Sequence, residues 1–314
     1  MKERALKLFS GSSHPELAKE IAENLEIQVS EMEVKRFACG EVYAKPKITV
    51  RADDVFIVQT ASSNVNEDLM ELFVMLDSLK RSFAGNIHVV MPHYAYSRQD
   101  RVATPREPIS ARLVADLIST AGADHVIAMK LHSDQAQGFF DFPVDNVNTN
   151  RLFADYFKEK KLEDFVVVSP DAGGAKDAKK LADMVGANLA IIHKTRPQHH
   201  EAEVTHVVGE VEGKACVIFD DMVDTAGSVT AAYKALKDMG ARDEIYLAAT
   251  HPVFSGPARE RLSTAGFKEV IVTNTIPIPQ EKKFENLKVL SVAPLLAKII
   301  KCVYSGKSVT DCIY

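Results

Sequence analysis

Asp220-Asp221-Met222-Val223-Asp224-Thr225-Ala226-Gly227-Ser228 sets three carboxylates directly ahead of four small residues. Carboxylates accept hydrogen bonds from sugar hydroxyls or hold a cation, and they repel phosphate. Small residues do the opposite. They let backbone N–H groups approach an anion, and Gly227 tolerates a turn that other residues resist. Recognition of a phosphorylated sugar uses both, with the diol on the acids and the phosphate on the loop. A calcium loop does not fit, because the Asp spacing is wrong and no Glu follows at the twelfth position. Nor does a Walker loop, since Gly306-Lys307-Ser308 has no upstream glycine and no long helix after it. Two adjacent Asp alone would simply cap a helix; the full run is more restrictive.

Four more clusters carry chemistry. Ser169-Pro170-Asp171-Ala172-Gly173-Gly174 reads as a second anion cradle with a metal-capable carboxylate, or as a glycine turn with an Asp cap. His132, in Leu131-His132-Ser133, can meet Mg²⁺ directly or through water beside nucleotide phosphates; a lone His is otherwise structural. Tyr94-Ala95-Tyr96-Ser97-Arg98-Gln99-Asp100-Arg101 suits a nucleotide, with guanidinium forks for phosphate and rings for stacking, against the plainer reading of a solvated charge run. Finally, His193-Lys194-Thr195-Arg196-Pro197-Gln198-His199-His200-Glu201 places Lys194 and Arg196 two apart. In an extended segment both project to one side, delivering two positive charges to a phosphoryl group in transfer, from a loop that closes over substrate.

Each of these clusters lies at or just beyond the end of an apolar run. Strands are predicted at 6–9, 32–37, 54–59, 87–91 and 125–129, then at 165–169, 188–193, 214–219, 244–249 and 269–272. Helices are predicted near 14–25, 67–81, 109–121, 175–185, 229–239, 257–265 and 293–303. Ser13 is the expected cap of the first, and Met70 and Met75 are expected core filler of the second. Strands alternating with helices give an α/β protein with largely parallel sheets. Its 314 residues suffice for two domains, divided between residues 145 and 150: 1–147, 148–300, and a 301–314 tail that returns to the first. A net charge of −5 and 46% hydrophobic residues fit a soluble protein, with no basic excess for nucleic acid and no apolar run able to cross a membrane. The four cysteines form no metal-ligand pairing, so a reducing, cytoplasmic setting is expected.

The 220–228 run resembles the phosphoribosyl-binding signature of the type I phosphoribosyltransferase group. With the other clusters, and with Arg36-Phe37, Gly40-Glu41, Gln137-Gly138-Phe139-Phe140-Asp141, Pro143-Val144-Asp145-Asn146 and Val272-Thr273-Asn274-Thr275-Ile276, the chain resembles the ribose-phosphate pyrophosphokinase family, phosphate-regulated class, over nearly its whole length. The resemblance implies two type I phosphoribosyltransferase-like domains, each a mainly parallel sheet flanked by helices. It implies transfer of the β,γ-diphosphoryl group of Mg-ATP to the 1-hydroxyl of ribose 5-phosphate. ATP would meet Phe37, Cys39, Glu41, Arg98, Gln99, Asp100 and His132. Ribose 5-phosphate would meet Arg196, Asp220, Asp221, Asp224, Thr225, Ala226, Gly227 and Ser228. Asp171, Ala172, Gly173 and Gly174 would form the pyrophosphate loop, His132 and Asp171 would meet Mg²⁺, and Lys194 and Arg196 would be catalytic. A homohexamer with phosphate and ADP as allosteric effectors is also implied. Cys39, Lys130 and Asp177 depart from the family's usual residues, which keeps open a non-catalytic partner of active subunits; a nucleobase phosphoribosyltransferase is the second rival.

Overall fold

The computed structural model describes residues 4–61, 63–198 and 201–310, with the backbone alone over 194–198 and 201–205. The chain divides into two units, one comprising Met1–Val147, Thr275–Pro277 and Ser291–Tyr314, the other Asn148–Asn274 and Ile278–Leu290. The return at Ser291 falls earlier than residue 300.

The first unit opens with β1 (Leu6–Ser10) and α1 (Pro15–Asn24), then a two-stranded antiparallel hairpin of β2 (Met32–Arg36) and β3 (Val42–Pro46). There follow β4 (Asp54–Val58), α2 (Val65–Arg81), β5 (Asn86–Met91), α3 (Ser110–Ala121), β6 (His125–Met129) and β7 (Val144–Val147). The sheet runs β1-β4-β5-β6-β7, every pairing parallel. The strands β4 and β6 on either side of its centre are buried along their full length, as the unbroken apolar runs require when both faces are covered. On α2 the residues Leu69, Leu72, Met75, Leu76 and Leu79 recur at helical spacing and turn inward, whereas Met70 is 52% exposed and fills no core.

The α1 cap is His14, whose Nδ1 accepts from Leu17 N at 3.3 Å. Ser13 Oγ is drawn instead to Gln59 Oε1 at 2.7 Å. Gln59, fully buried, also accepts from Ser13 N and donates through Nε2 to Asp68 O (3.0 Å) and Glu71 Oε1 (3.1 Å). A Cβ on Gly11 would lie 2.2 Å from Gln59 Oε1. Gly11→Ala must therefore break this buried set, and a loss of about 2–4 kcal/mol is expected, read as a lower urea midpoint at unchanged slope. An unshifted midpoint would show that Gln59 can move at no cost.

The second unit comprises α4 (Asn150–Lys160), β8 (Phe165–Ser169), α5 (Ala175–Val185), β9 (Asn188–Gln198), β10 (Glu201–Val208), β11 (Ala215–Val223), α6 (Gly227–Asp238), β12 (Ile245–Pro252), α7 (Ala258–Thr264), β13 (Glu269–Thr273) and β14 (Leu287–Leu290). Its sheet order is β10-β9-β8-β11-β12-β13-β14, parallel except for the β9–β10 pair. Phe153 and Phe157 of α4 pack with Ala178 and Leu181 of α5 over one face; Val229 and Leu236 of α6 and Leu262 of α7 cover the other. The sequence reading is corrected here at two points. Residues 194–198, expected as a loop, continue β9 and pair back with β10, where apolar and polar residues alternate; His199 and His200 lie outside the described residues. β11 also runs past Phe219, carrying Asp220 and Asp221 inside the strand.

The chain then returns as α8 (Ala293–Tyr304), whose Leu296, Ile299 and Ile300 are buried, and α8 packs on α1. Tyr304 Oη donates to Arg4 O at 2.7 Å, and Ser291 Oγ to Glu20.

Candidate active site

In the second unit the chain leaves β8 toward β9 on one side and leaves β11 toward β12 on the other. The carboxyl ends of β8 and β11 therefore flank a switch point, where connections diverge and leave a crevice. Both of the loops read as phosphate cradles leave the sheet here.

After β8, Ser169 Oγ, fully buried, donates to Asp171 O at 2.6 Å. Asp171 Oδ1 accepts from Gly173 N at 2.9 Å and Gly174 N at 3.1 Å, so the loop's amides already converge on a negative oxygen. A Cβ on Gly174 would sit 3.0 Å from Ser169 Oγ and crowd the turn. Asp171, Ala172 and Gly173 are exposed.

After β11 the ladder with β8 stops at Ile218, while that with β12 continues, opposing Asp220 to Ala249 and Met222 to His251. Asp220 Oδ1 accepts from Asp221 N at 2.8 Å. Burial, then the adjacent Asp221 charge, push the Asp220 carboxyl well above the ordinary aspartate range, and Asp171 adds to the rise. Although Asp220 keeps partial surface exposure, protein crowds it closely enough for burial to lead. Because β8 and β11 pair as parallel neighbours, the two loops leave the sheet side by side.

The turn into α6 is strained and braced. Ala226 caps the helix at φ 62°, a left-handed conformation that costs a non-glycine residue about 1–2 kcal/mol. Phe254 N donates to Val223 O and Ser255 N to Asp224 O, both at 3.0 Å. Arg261 Nη1 donates to Thr225 O at 3.0 Å, and a Cβ on Gly227 would come within 3.2 Å of that nitrogen. Thr225 and Ser228 remain exposed at the helix start, where the positive end of the helix dipole favours an anion. Sequence reading missed Phe254, Ser255 and Arg261: no motif marks a brace that acts through backbone carbonyls.

In the first unit the expected nucleotide residues occupy two places. Phe37, Cys39 and Glu41 lie at the β2–β3 turn, closed by Phe37 N to Glu41 O (2.8 Å) and Gly40 N to Phe37 O (2.9 Å). Phe37 is 47% exposed and makes a T-shaped contact with Tyr43, with Lys35 Nζ 6.0 Å from its ring centroid. Arg98, Gln99, Asp100 and His132 lie on the loops that follow the neighbouring strands β5 and β6. Arg98, Gln99 and His132 are exposed; Ser110 Oγ donates to Gln99 Oε1 at 2.7 Å. Tyr94, read as a stacking ring, is buried instead: its hydroxyl donates to Ala111 O at 2.9 Å and its ring meets Phe140. The side chains of Lys194 and Arg196 lie outside the described residues; their backbone is on β9.

Among the described residues no three His, Cys, Asp or Glu side chains gather as a metal site, and no helix is long and apolar enough to cross a membrane.

Strand-end acids beside an amide-lined turn at a switch point define an α/β protein built to hold phosphorylated ligands. Residues 6–122 match the family model of the N-terminal domain of ribose phosphate pyrophosphokinase, and 196–313 that of the phosphoribosyl synthetase-associated domain. The chain is 51% identical to a ribose-phosphate pyrophosphokinase of Bacillus caldolyticus, over 97% of this chain and 96% of that one. It is 49% identical to that of Bacillus subtilis, over 98% and 97%. The crystal structure of phosphoribosylpyrophosphate synthetase from Mycobacterium smegmatis matches with a TM-score of 0.91 and 46% identity, over 96% of this chain and all of that one. The chain belongs to the ribose-phosphate pyrophosphokinase family.

Proposed function

We propose that the chain transfers the β,γ-diphosphoryl group of ATP to the 1-hydroxyl of ribose 5-phosphate, giving phosphoribosyl pyrophosphate and AMP. The observation that carries this is the pairing, at one switch point, of the acids of β11 with the glycine amides after β8. Asp220 and Asp221 accept from the ribose hydroxyls; residues 224–228 take the 5-phosphate on the α6 N-terminus. Residues 171–174 hold the diphosphoryl group on their amides. Phe37, Cys39, Glu41, Arg98, Gln99 and Asp100 grip ATP, with adenine against Phe37. Lys194 and Arg196 neutralise the charge that builds as AMP departs.

The attacking 1-hydroxyl displaces AMP at the β-phosphorus directly, so alignment and charge neutralisation supply the acceleration and no covalent enzyme intermediate is needed. Asp171 suits a hard cation such as Mg²⁺, since its Oδ1 is occupied by amides and Oδ2 remains to meet one. His132 is exposed and can meet the ion directly or through water. Mg²⁺ would shield the triphosphate and orient it.

A cytoplasmic homohexamer controlled by phosphate and ADP completes the reading. Self-association within that reading is supported by exposed Ile109, at the N-cap of α3, and Leu113 and Leu117 of α3, spaced four apart as an apolar stripe. The test is AMP release from purified chain with ATP, Mg²⁺ and ribose 5-phosphate, phosphate varied and mass measured alongside. No sugar-dependent AMP would reject the activity; base-dependent pyrophosphate release would favour a transferase instead.

The brace on the phosphate turn gives a milder expectation. Arg261→Ala releases Thr225 O and should raise KM for ribose 5-phosphate by about tenfold while KM for ATP holds. Equal changes in both constants would count against a local role.

A further inference from the structure

We propose that Asn150, with Thr149, is a positioning pair that couples the 171–174 loop to the acid strand β11, an inference that rests on the assignment of those loops above. Both residues are 1% exposed, at the start of α4, and they face two different elements. Asn150 Nδ2 donates to Asp177 O at 2.9 Å, in the first turn of α5, the helix that the 171–174 loop enters. Thr149 Oγ1 shares a 2.7 Å hydrogen bond with Thr250 Oγ1 of β12. Thr250 O in turn accepts from Thr273 Oγ1 of β13 at 2.7 Å. Since Ala249 opposes Asp220 and His251 opposes Met222, Thr250 stands beside Asp221 in the sheet. One dipeptide thus touches the helix behind the amide loop and the strand beside the acids.

Asn150 carries one of the three buried side-chain atoms that lack a hydrogen-bond partner among the described residues. The carbonyl acceptor fixes the Asn150 amide, so Oδ1 is the end left over, and it is buried with no hydrogen-bond partner. Leaving an acceptor buried and unpaired lowers stability, whereas an apolar group of the same shape would not. A residue kept for packing alone would be better served by leucine. Asp171 Oδ1 occupies the Gly173 and Gly174 amides, and a diphosphate must take those donors from it. Asn150 is the contact through which that exchange at the α5 N-terminus reaches Thr250 and the acids.

The experiment uses the full purified chain as wild type, Asn150→Leu, Thr149→Val, Thr149→Ser and the Leu/Val double variant. Melting temperature, KM for each substrate, kcat, and calorimetric binding of ribose 5-phosphate with and without inorganic pyrophosphate are compared. Asn150→Leu removes the unpaired acceptor together with the donor to Asp177 O, so its melting temperature should stay close to wild type while kcat/KM for ribose 5-phosphate falls about tenfold. Pyrophosphate should alter sugar affinity in wild type and fail to do so in Asn150→Leu. Thr149→Val should repeat the defect, Thr149→Ser should restore wild-type behaviour, and the double variant should be no worse than the poorer single one. Unchanged kinetics and binding, or activity falling only in step with melting temperature, would overturn the proposal. If Asn150→Leu fails to fold, the Val/Ser pair decides on the same criteria. A wild-type chain that makes no AMP defeats the functional reading itself, whereas an active wild type with silent variants defeats only the coupling.

Discussion

With Asp220 and Asp221 both changed to Asn, affinity for ribose 5-phosphate is expected to fall by on the order of a hundredfold or more, ATP affinity changing little. A hydrogen bond to a charged acceptor contributes about 1.5–3 kcal/mol, and an amide offers a hydroxyl one acceptor where a carboxylate offers two. The same change should raise heat stability. Asp220 is held above its ordinary value of 3.8 by burial first and by the Asp221 charge second. The folded chain therefore binds more protons than the unfolded one from near that value up to the raised one. Stability from this group is present at low pH and is lost as pH rises through the raised value. Asp220→Asn has no proton to lose, so its melting temperature should exceed wild type at neutral pH and converge with it in acid. Calorimetry for the sugar and melting curves across pH check both halves. Weakened ATP with intact sugar binding would sink the assignment of the acids; a parallel, undiminished pH slope would sink the electrostatics.

Lys194→Ala should lower kcat by about a hundred- to a thousandfold with ribose 5-phosphate binding close to wild type. A charge that acts on a developing phosphorane-like or metaphosphate-like centre contributes to the transition state, and little to the resting complex. β9 pairs Lys194 with Val204 of β10, so the residue is presented from a hairpin arm. Single-turnover rates with calorimetric sugar binding separate the two effects. Near-normal turnover would reject the role, and parallel loss of turnover and sugar binding would make Lys194 a binding residue.

The fold was legible where burial is continuous. β6 and β8 are read from unbroken apolar residues, and α2 and α5 from their helical spacing, because local pattern and tertiary environment agree there. What escaped depends on distant partners. Ser13 looks like a cap, but Gln59 takes its hydroxyl and His14 does the capping. Asp220 and Asp221 read as loop because carboxylates disfavour strands, yet the pairing with β12 carries β11 through them. α4 has Thr149 at its N-cap without a side-chain cap bond, and its inner Phe153 and Phe157 declare themselves only against α5 and the sheet. The candidate site divides likewise: the residues proposed to touch ligands sit in motifs, whereas Arg261, Ser255 and Asn150 act through contacts that spacing does not encode.

The placement of α8 bears on how the protein comes into being. The last long helix covers α1, nearly the whole chain away, so the first-made unit cannot finish its own core until translation has passed Ser291. The later-made unit, continuous but for a short clip, has most of what it needs sooner. On the ribosome the usual vectorial order is thus inverted for final closure, and the part of α1 that α8 covers stays open in a nascent chain until that last helix emerges.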